Sequence, residues 1–235
     1  MSIGNDILEH LYEKYPFKKE DLNRLVCGSK HCGVELKNGN IGICSTLGEV
    51  IGKNERILAH PDFTKIEHRI MVNAWVNACS NYVLPAKGEG DVFDAIDFTC
   101  YRNLVMIGFF CSLSVKFQKA GIPITIFDLD PIDKPVAPIE TQQFYLAKAD
   151  AVILTATTIS NMTFTELMGN VNPSAEVFVL GPSTNLDIDM LNYPKVKALF
   201  GSKFSPFDSA SLDLIEEGCG TKKIMPFIKK VYISR

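Results

Sequence analysis

Four apolar runs in the second half of the chain each stop abruptly in small polar residues. They are Leu104–Phe110 into Cys111-Ser112, Ile124–Phe127 into Asp128-Leu129-Asp130, Ala151–Leu154 into Thr155-Ala156-Thr157-Thr158, and Val177–Leu180 into Gly181-Pro182-Ser183-Thr184. The segments between them carry helix signals. Ser112 can cap a helix that runs to Ala120 and stops at Gly121. Ile139–Ala149 reads as a second helix, and Ser160–Met168 as a third ended by Gly169. Glycine just past a helix end is the usual left-handed stop. Strand–helix–strand alternation predicts a Rossmann-like, doubly wound parallel sheet in an α/β domain. Its strand ends converge on one edge, where open α/β sheets bind ligands.

The first half follows a different pattern. Residues 3–15 read as an amphipathic helix through Ile3, Ile7, Leu8, Leu11, Tyr12 and Tyr15, closed by Pro16. Short runs at Leu22–Cys27, Cys32–Leu36 and Ile41–Ser45 follow, with Asn38-Gly39 between the last two as a hairpin signal. They predict an antiparallel meander. Thr64-Lys65-Ile66-Glu67 has the pattern of a capping box, opening a helix with Ile66, Ile70, Ala74, Asn77 and Ala78 on one face. The small Ala74 and Ala78 would let another element approach closely. Residues 85–103, opening on the turn-rich Pro85–Asp91, mark the junction, giving a smaller α+β domain over 1–90 and the α/β domain over 91–235.

Composition narrows the function classes. An apolar fraction of 46% and a charged fraction of 22% describe a globular chain. A net charge of −3 supplies no basic face for nucleic acid, and Lys222, Lys223, Lys229 and Lys230 read as solvated surface. No run approaches the roughly 18 apolar residues that a membrane span needs. The start of the chain lacks a secretory pattern, and seven scattered cysteines fit free thiols, so a cytoplasmic location is expected.

The strand ends hold the chemistry. Gly108 and Phe109 close the first run, Ser112 offers a hydroxyl at a helix start, and Asp128 stands 20 residues after Gly108. That spacing is the one at which dinucleotide-binding folds place a ribose-binding acid. A strand-end aspartate capping a turn beside Pro131 explains Asp128 equally well. Thr155, Thr157, Thr158, Ser160, Asn161 and Thr163 crowd hydroxyls and an amide into nine residues, suited to ligand oxygens; local capping by Ser160 or Thr158 explains only part of them. Gly181, Pro182, Ser183 and Thr184 add a tight turn with two hydroxyls on the same edge. No G-x-G-x-x-G, P-loop or G-x-S-x-G appears, and Cys27-x4-Cys32 beside His31 is a loose zinc-like cluster.

Val105–Phe110, the cluster Thr155-x-Thr157-Thr158-x-x-Asn161-x-Thr163, and Leu180-Gly181-Pro182-Ser183-Thr184 together resemble a prokaryotic family described as a heavy-metal chelation domain, formerly a domain of unknown function. The smaller domain over 1–90 resembles the small domain fused in front of it, with a fold like the N-terminal domain of enolase, in which Ala74-Trp75-Val76-Asn77-Ala78 matches a helix carrying an asparagine among small residues. The resemblance implies a site in the cleft between the two domains. The family's first loop often has proline after the aromatic pair, where this chain has Cys111.

The expectation is a protein that binds a metal or an anionic metal complex, with a transition or heavy metal as its cofactor. Cys111, Asp128 and Cys219 are the candidate direct ligands, Asn161 and the threonines orient ligand oxygens, and Asn77 contributes from the first domain. The rival readings are an enzyme acting on a small anionic metabolite or nucleotide-like cofactor, and a non-catalytic partner-binding protein. A homodimer is compatible with each. Hydroxyls and amides are poor ligands for soft metals, so the loops suit a carboxylate or phosphate better than a bare ion.

Overall fold

The computed structural model describes residues 6–235. Three antiparallel strands, β1 (Leu22–Cys27), β2 (His31–Leu36) and β3 (Ile41–Ser45), form the meander in the order β1-β2-β3. The second sheet contains β4 (Gly88–Glu89), β5 (Leu104–Ile107), β6 (Thr125–Phe127), β7 (Ala151–Thr155), β8 (Glu176–Leu180), β9 (Val196–Lys203) and β10 (Lys229–Ser234). Their order is β4-β10-β9-β8-β7-β5-β6; β6 through β9 run parallel, while β10 and β4 are antiparallel additions. The chain steps from β5 outward to β6, then returns across β5 to β7. That reversal is the topological switch point, and β5, β6 and β7 all end there.

The apolar runs form strands because both faces of this sheet are covered. Val105, Ile107, Val152 and Leu154 enter the core shared with the first half of the chain. Leu104, Met106, Ala151 and Ile153 enter the opposite core with Phe98, Leu113 and Phe117. A third cluster joins Val26, Ile41 and Ile43 of the meander to Leu212 and Ile215 of a C-terminal helix. The meander strands β2 and β3 are therefore buried on both faces, not one.

The helix Ile66–Ser80 is buried nearly all round, from Arg69 to Ala78. Its approach to the meander is set by glycine. A Cβ on Gly42 of β3 would sit 2.1 Å from the Ala78 nitrogen and 2.3 Å from the Ala74 carbonyl oxygen. This is the close neighbour that Ala74 and Ala78 admit.

Several local expectations need correction. The first helix is Ile7–Lys14, capped by Asp6, whose Oδ1 accepts the Leu8 and Glu9 N–H groups; residues 3–5 lie outside the described residues. The capping box does not form, because the Thr64 hydroxyl bonds Asp62 and Lys65 takes the cap position without a side-chain bond. Ser112 is not a cap, since the helix spans Cys111–Ala120 from Phe110; its stop at Gly121 is left-handed as expected, φ 67°. Ile139–Ala149 is a 3₁₀ turn at Ile139–Thr141 running into the short helix Gln142–Leu146. Ser160–Met168 divides into Thr157–Ser160 and Phe164–Asn170, and Gly169 lies inside the latter. The break falls at Met162, which adopts φ 65°, and Asn161 accepts both the Thr163 N–H and hydroxyl there. β9, β10 and β4 extend the sheet beyond the four predicted strands. Among the described residues no helix is long and apolar enough to cross a membrane.

Gly42→Ala is expected to cost about 3 kcal/mol or more, since backbone rather than a pliable side chain occupies the space. Chemical denaturation measures it, and a loss under about 1 kcal/mol would contradict this packing.

Candidate functional site

The ends of β5, β6 and β7 enclose a cavity of about 270 Å³, and Leu47 from the loop after β3 borders it. Of the residues expected at the site, Gly108, Phe109, Asp128, Thr155, Thr157, Thr158, Asn161 and Thr163 line it. A smaller cavity of about 170 Å³ adjoins, sharing Phe110, Thr155 and Thr157; Gly181, Pro182 and Ser183 line it opposite His31 and Ser45 of the meander. The strand edge thus faces the first half of the chain across both cavities.

Gly108 has φ 91°, and a Cβ there would meet the Thr155 side chain at 2.8 Å. The glycine lets β5 turn over against β7, a conformation other residues resist. The turn aims the Phe109 N–H at Asp128, whose Oδ2 accepts it at 2.7 Å. Oδ1 accepts the Asp130 N–H at 2.9 Å and Lys134 Nζ at 2.9 Å. Burial alone would push the Asp128 carboxyl up, but the Lys134 bond and the two N–H groups outweigh it and hold the pKa below its ordinary value. Asp128 therefore stays a carboxylate. Three of its roughly four acceptor positions are taken, leaving capacity for a ligand donor.

The threonine cluster is partly self-satisfied. The Thr158 hydroxyl donates to the Thr155 carbonyl at 2.7 Å, Thr163 donates to Asn161 at 2.7 Å, and buried Ser160 contacts Cys44 and Asn73. Capping and packing thus explain more of the cluster than the sequence suggested. Thr155 and Thr157 share one hydrogen bond at 2.9 Å between their hydroxyls, and both border the two cavities.

Other expected residues lie elsewhere. Asn77 is fully buried in the helix Ile66–Ser80, with Nδ2 donating to the Ile43 carbonyl and Oδ1 accepting from Asn185; it borders neither cavity. Thr184 is also fully buried, its carbonyl accepting from Asn81. Ser112 is exposed on its helix. Cys111 is exposed and Cys219 half-buried, and neither borders a cavity. Among the described residues no three His, Cys, Asp or Glu side chains gather into a metal centre, so Cys111, Asp128 and Cys219 do not form one.

The candidate ligand groups at the edge are hydroxyls, an amide and two carboxylates, Asp128, already paired with Lys134, and Glu166. That set does not fit a soft heavy metal, which prefers thiolate or imidazole. The charged residues bordering the larger cavity, Asp128 and Glu166, are both acidic. Apolar walls come from Phe109, Phe127, Ile139 and Leu167.

Sequence reasoning singled out Asn77 but missed the row it belongs to, and with it Arg69, Asn73 and Asn81. Arg69, Asn73, Asn77 and Asn81 recur every four positions and form one polar row along the buried helix and its end. Arg69 donates to the Ile159 and Ser160 carbonyls and pairs with Asp6. Asn73 donates to the Ser183 carbonyl at 3.1 Å. Asn81 donates to the Thr184 carbonyl at 3.1 Å and accepts the Leu186 N–H at 2.7 Å. The signal was R-x3-N-x3-N-x3-N, four polar residues at helical spacing among apolar ones.

The fold and the edge define a doubly wound α/β protein with a ligand-sized cavity at its switch point. Residues 91–234 match the family described as "Putative heavy-metal chelation", DUF364, and the chain belongs to that family. It resembles a DUF364 protein of unknown function from Pyrococcus horikoshii, with TM-score 0.81 and 21% identity over 100% of both chains. It also resembles one from Desulfitobacterium hafniense, with TM-score 0.73 and 18% identity over 97% of this chain and 99% of that one. At those identities the likeness shows the shared fold. No curated protein matches.

The depressed Asp128 pKa has a signed consequence. Its stabilising contribution is complete above the unfolded value, about 3.9, and is lost as pH falls through the lower folded value. Asp128→Asn is expected to lower stability at pH 7 and to matter less near pH 2–3, measured by denaturant unfolding. An equal gap at both pH values would contradict the assignment.

Proposed function

We propose that the strand-edge cavity binds a small, hydroxyl-bearing organic ligand of nucleoside type, rather than a bare ion. The observation that carries this reading is Asp128: an ionised carboxylate at the end of β6, fixed by the Phe109 N–H and Lys134, with acceptor capacity left at the switch point. Doubly wound folds use an acid in this place to accept ribose hydroxyl donors. The apolar walls suit a flat ring system, and Thr155, Thr157 and Asn161 supply further polar contacts. A cavity of about 270 Å³ holds a compact ligand of that kind, not a full dinucleotide.

Charge argues against the other forms. A free anion or an anionic metal complex would lie against Asp128 and Glu166. A bare soft cation would find oxygen donors only. The family description supports a ligand connected with metal handling, and a neutral or cationic metal complex meets the same oxygen-rich wall without the charge conflict. No residue is assigned a chemical step.

A thermal-shift and calorimetric panel of ribonucleosides, their 2′-deoxy counterparts, nucleotides and S-adenosylmethionine tests the reading. A ribonucleoside member is expected to stabilise the chain, with at least tenfold weaker binding of its deoxy counterpart. Asn161→Ala should fold, at a cost of about 1 kcal/mol for the lost turn bond, and lose that binding. A flat response across the panel, or ribo- and deoxy- forms binding alike, would overturn it.

A further inference from the structure

The strand edge suits soft metals poorly, and thiols are the side chains such metals prefer. Cys100 and Cys111 are exposed, and buried Cys44 is engaged by Ser160 and Asn73. Cys27 and Cys32 differ, because they face each other across the β1–β2 hairpin as direct partners. The Gly28 N–H donates to the His31 carbonyl at 2.9 Å, closing the turn. Pairs alternate along an antiparallel ladder, so the next pair, Cys27 with Cys32, lies where side chains come closest. Their Sγ atoms are 3.9 Å apart and both thiols are free. Cys32 is fully buried while Cys27 is half-buried, so the pair opens to solvent on one side only.

We propose that Cys27 and Cys32 form a two-thiolate site for a thiophilic d¹⁰ cation, such as Zn²⁺, Cd²⁺ or Cu⁺. With zinc–sulfur bonds of about 2.3 Å, sulfurs at this separation subtend about 115° at a zinc ion held equally by both, and the longer bonds of Cd²⁺ narrow the angle toward the tetrahedral one. That angle suits trigonal or tetrahedral coordination, so the ion enters without backbone movement. Binding releases the two thiol protons, since the ligands are thiolates. Among the described residues no third His, Cys, Asp or Glu completes the set. Water or a small added ligand therefore takes the outer positions, on the open side of Cys27. Such a site binds reversibly instead of locking the metal in place, as closed four-ligand structural sites do. The pair lies outside residues 91–234, the segment matched by the family model, and stands independently of the cavity described above.

The test is a Cd²⁺ titration of the fully reduced chain under anaerobic conditions, followed by thiolate-to-metal charge-transfer absorbance. The absorbance is expected to saturate at one equivalent, and that equivalent should slow alkylation of Cys27 at least tenfold, read by mass spectrometry. Cys27→Ala and Cys27→Ser should abolish the absorbance, while Cys111→Ser and Asn161→Ala leave it unchanged. The alkylation arm needs no variant, so it stands even where a substitution impairs folding. The proposal is overturned if Cys27 alkylates at the same rate with Cd²⁺ present, if the one-equivalent absorbance survives Cys27→Ser, or if the reduced chain takes no Cd²⁺ and forms only a Cys27–Cys32 disulfide on oxidation.

Discussion

The row Arg69, Asn73, Asn77 and Asn81 is the interaction on which the rest of this structure depends. A helix buried on all sides would ordinarily be apolar on all sides. Here one polar row runs through the core: Arg69, Asn73 and Asn81 bond the backbone of Ile159 and Ser160 after β7 and of Ser183, Thr184 and Leu186 after β8, while Asn77 bonds the Ile43 carbonyl of β3 and the Asn185 side chain. The carbonyls so bonded lie in the loop after β8 or at the C-terminal end of the short helix Thr157–Ser160, where helix bonding does not reach them, and an unpaired buried polar group costs about 1–3 kcal/mol. The row removes that cost and fixes the loops at the same time. It thereby joins the first half of the chain to the carboxyl edge of the parallel sheet.

The two cavities follow from that junction. The switch point leaves a gap beyond β5, β6 and β7, and the row holds the later loops so that the gap stays bounded. Gly108 and Gly42 act similarly at the backbone level: the first allows β5 to turn against Thr155, the second allows β3 to lie against the helix. Asp128 is then positioned by three partners before any ligand arrives, and the cavity's polar groups are preorganised instead of being gathered on binding.

The parallel sheet was legible because doubly covered strands must be apolar throughout, and β5 to β8 fall on the four runs first recognised. β9 and β10 were less visible: Lys197, Lys203, Lys229 and Lys230 interrupt their apolar pattern near the sheet's antiparallel edge. Caps were read poorly for a physical reason. Thr64 and Ser112 have the right chemistry, yet Asp62 captures the first and the turn at Phe110 starts the second helix a residue early. At the site, the residues on strand ends came together, because strand ends converge by topology. Asn77, Thr184, Cys111 and Cys219 did not, since their placement depends on which way a helix or loop turns its side chain. Asn77 drew notice as a polar residue among small ones, and its real partners, Ile43 and Asn185, are far away in sequence.

The most direct measurement of this account is amide hydrogen exchange at Leu186 in the wild type and in Asn81→Ala. Asn81 Oδ1 accepts the Leu186 N–H, and its Nδ2 holds the Thr184 carbonyl. If the buried row secures the site loops, exchange at Leu186 should rise at least tenfold in the variant, while the β7 amides remain protected. Unchanged exchange at Leu186 would contradict it, and would mean that the strand edge holds its shape without the helix.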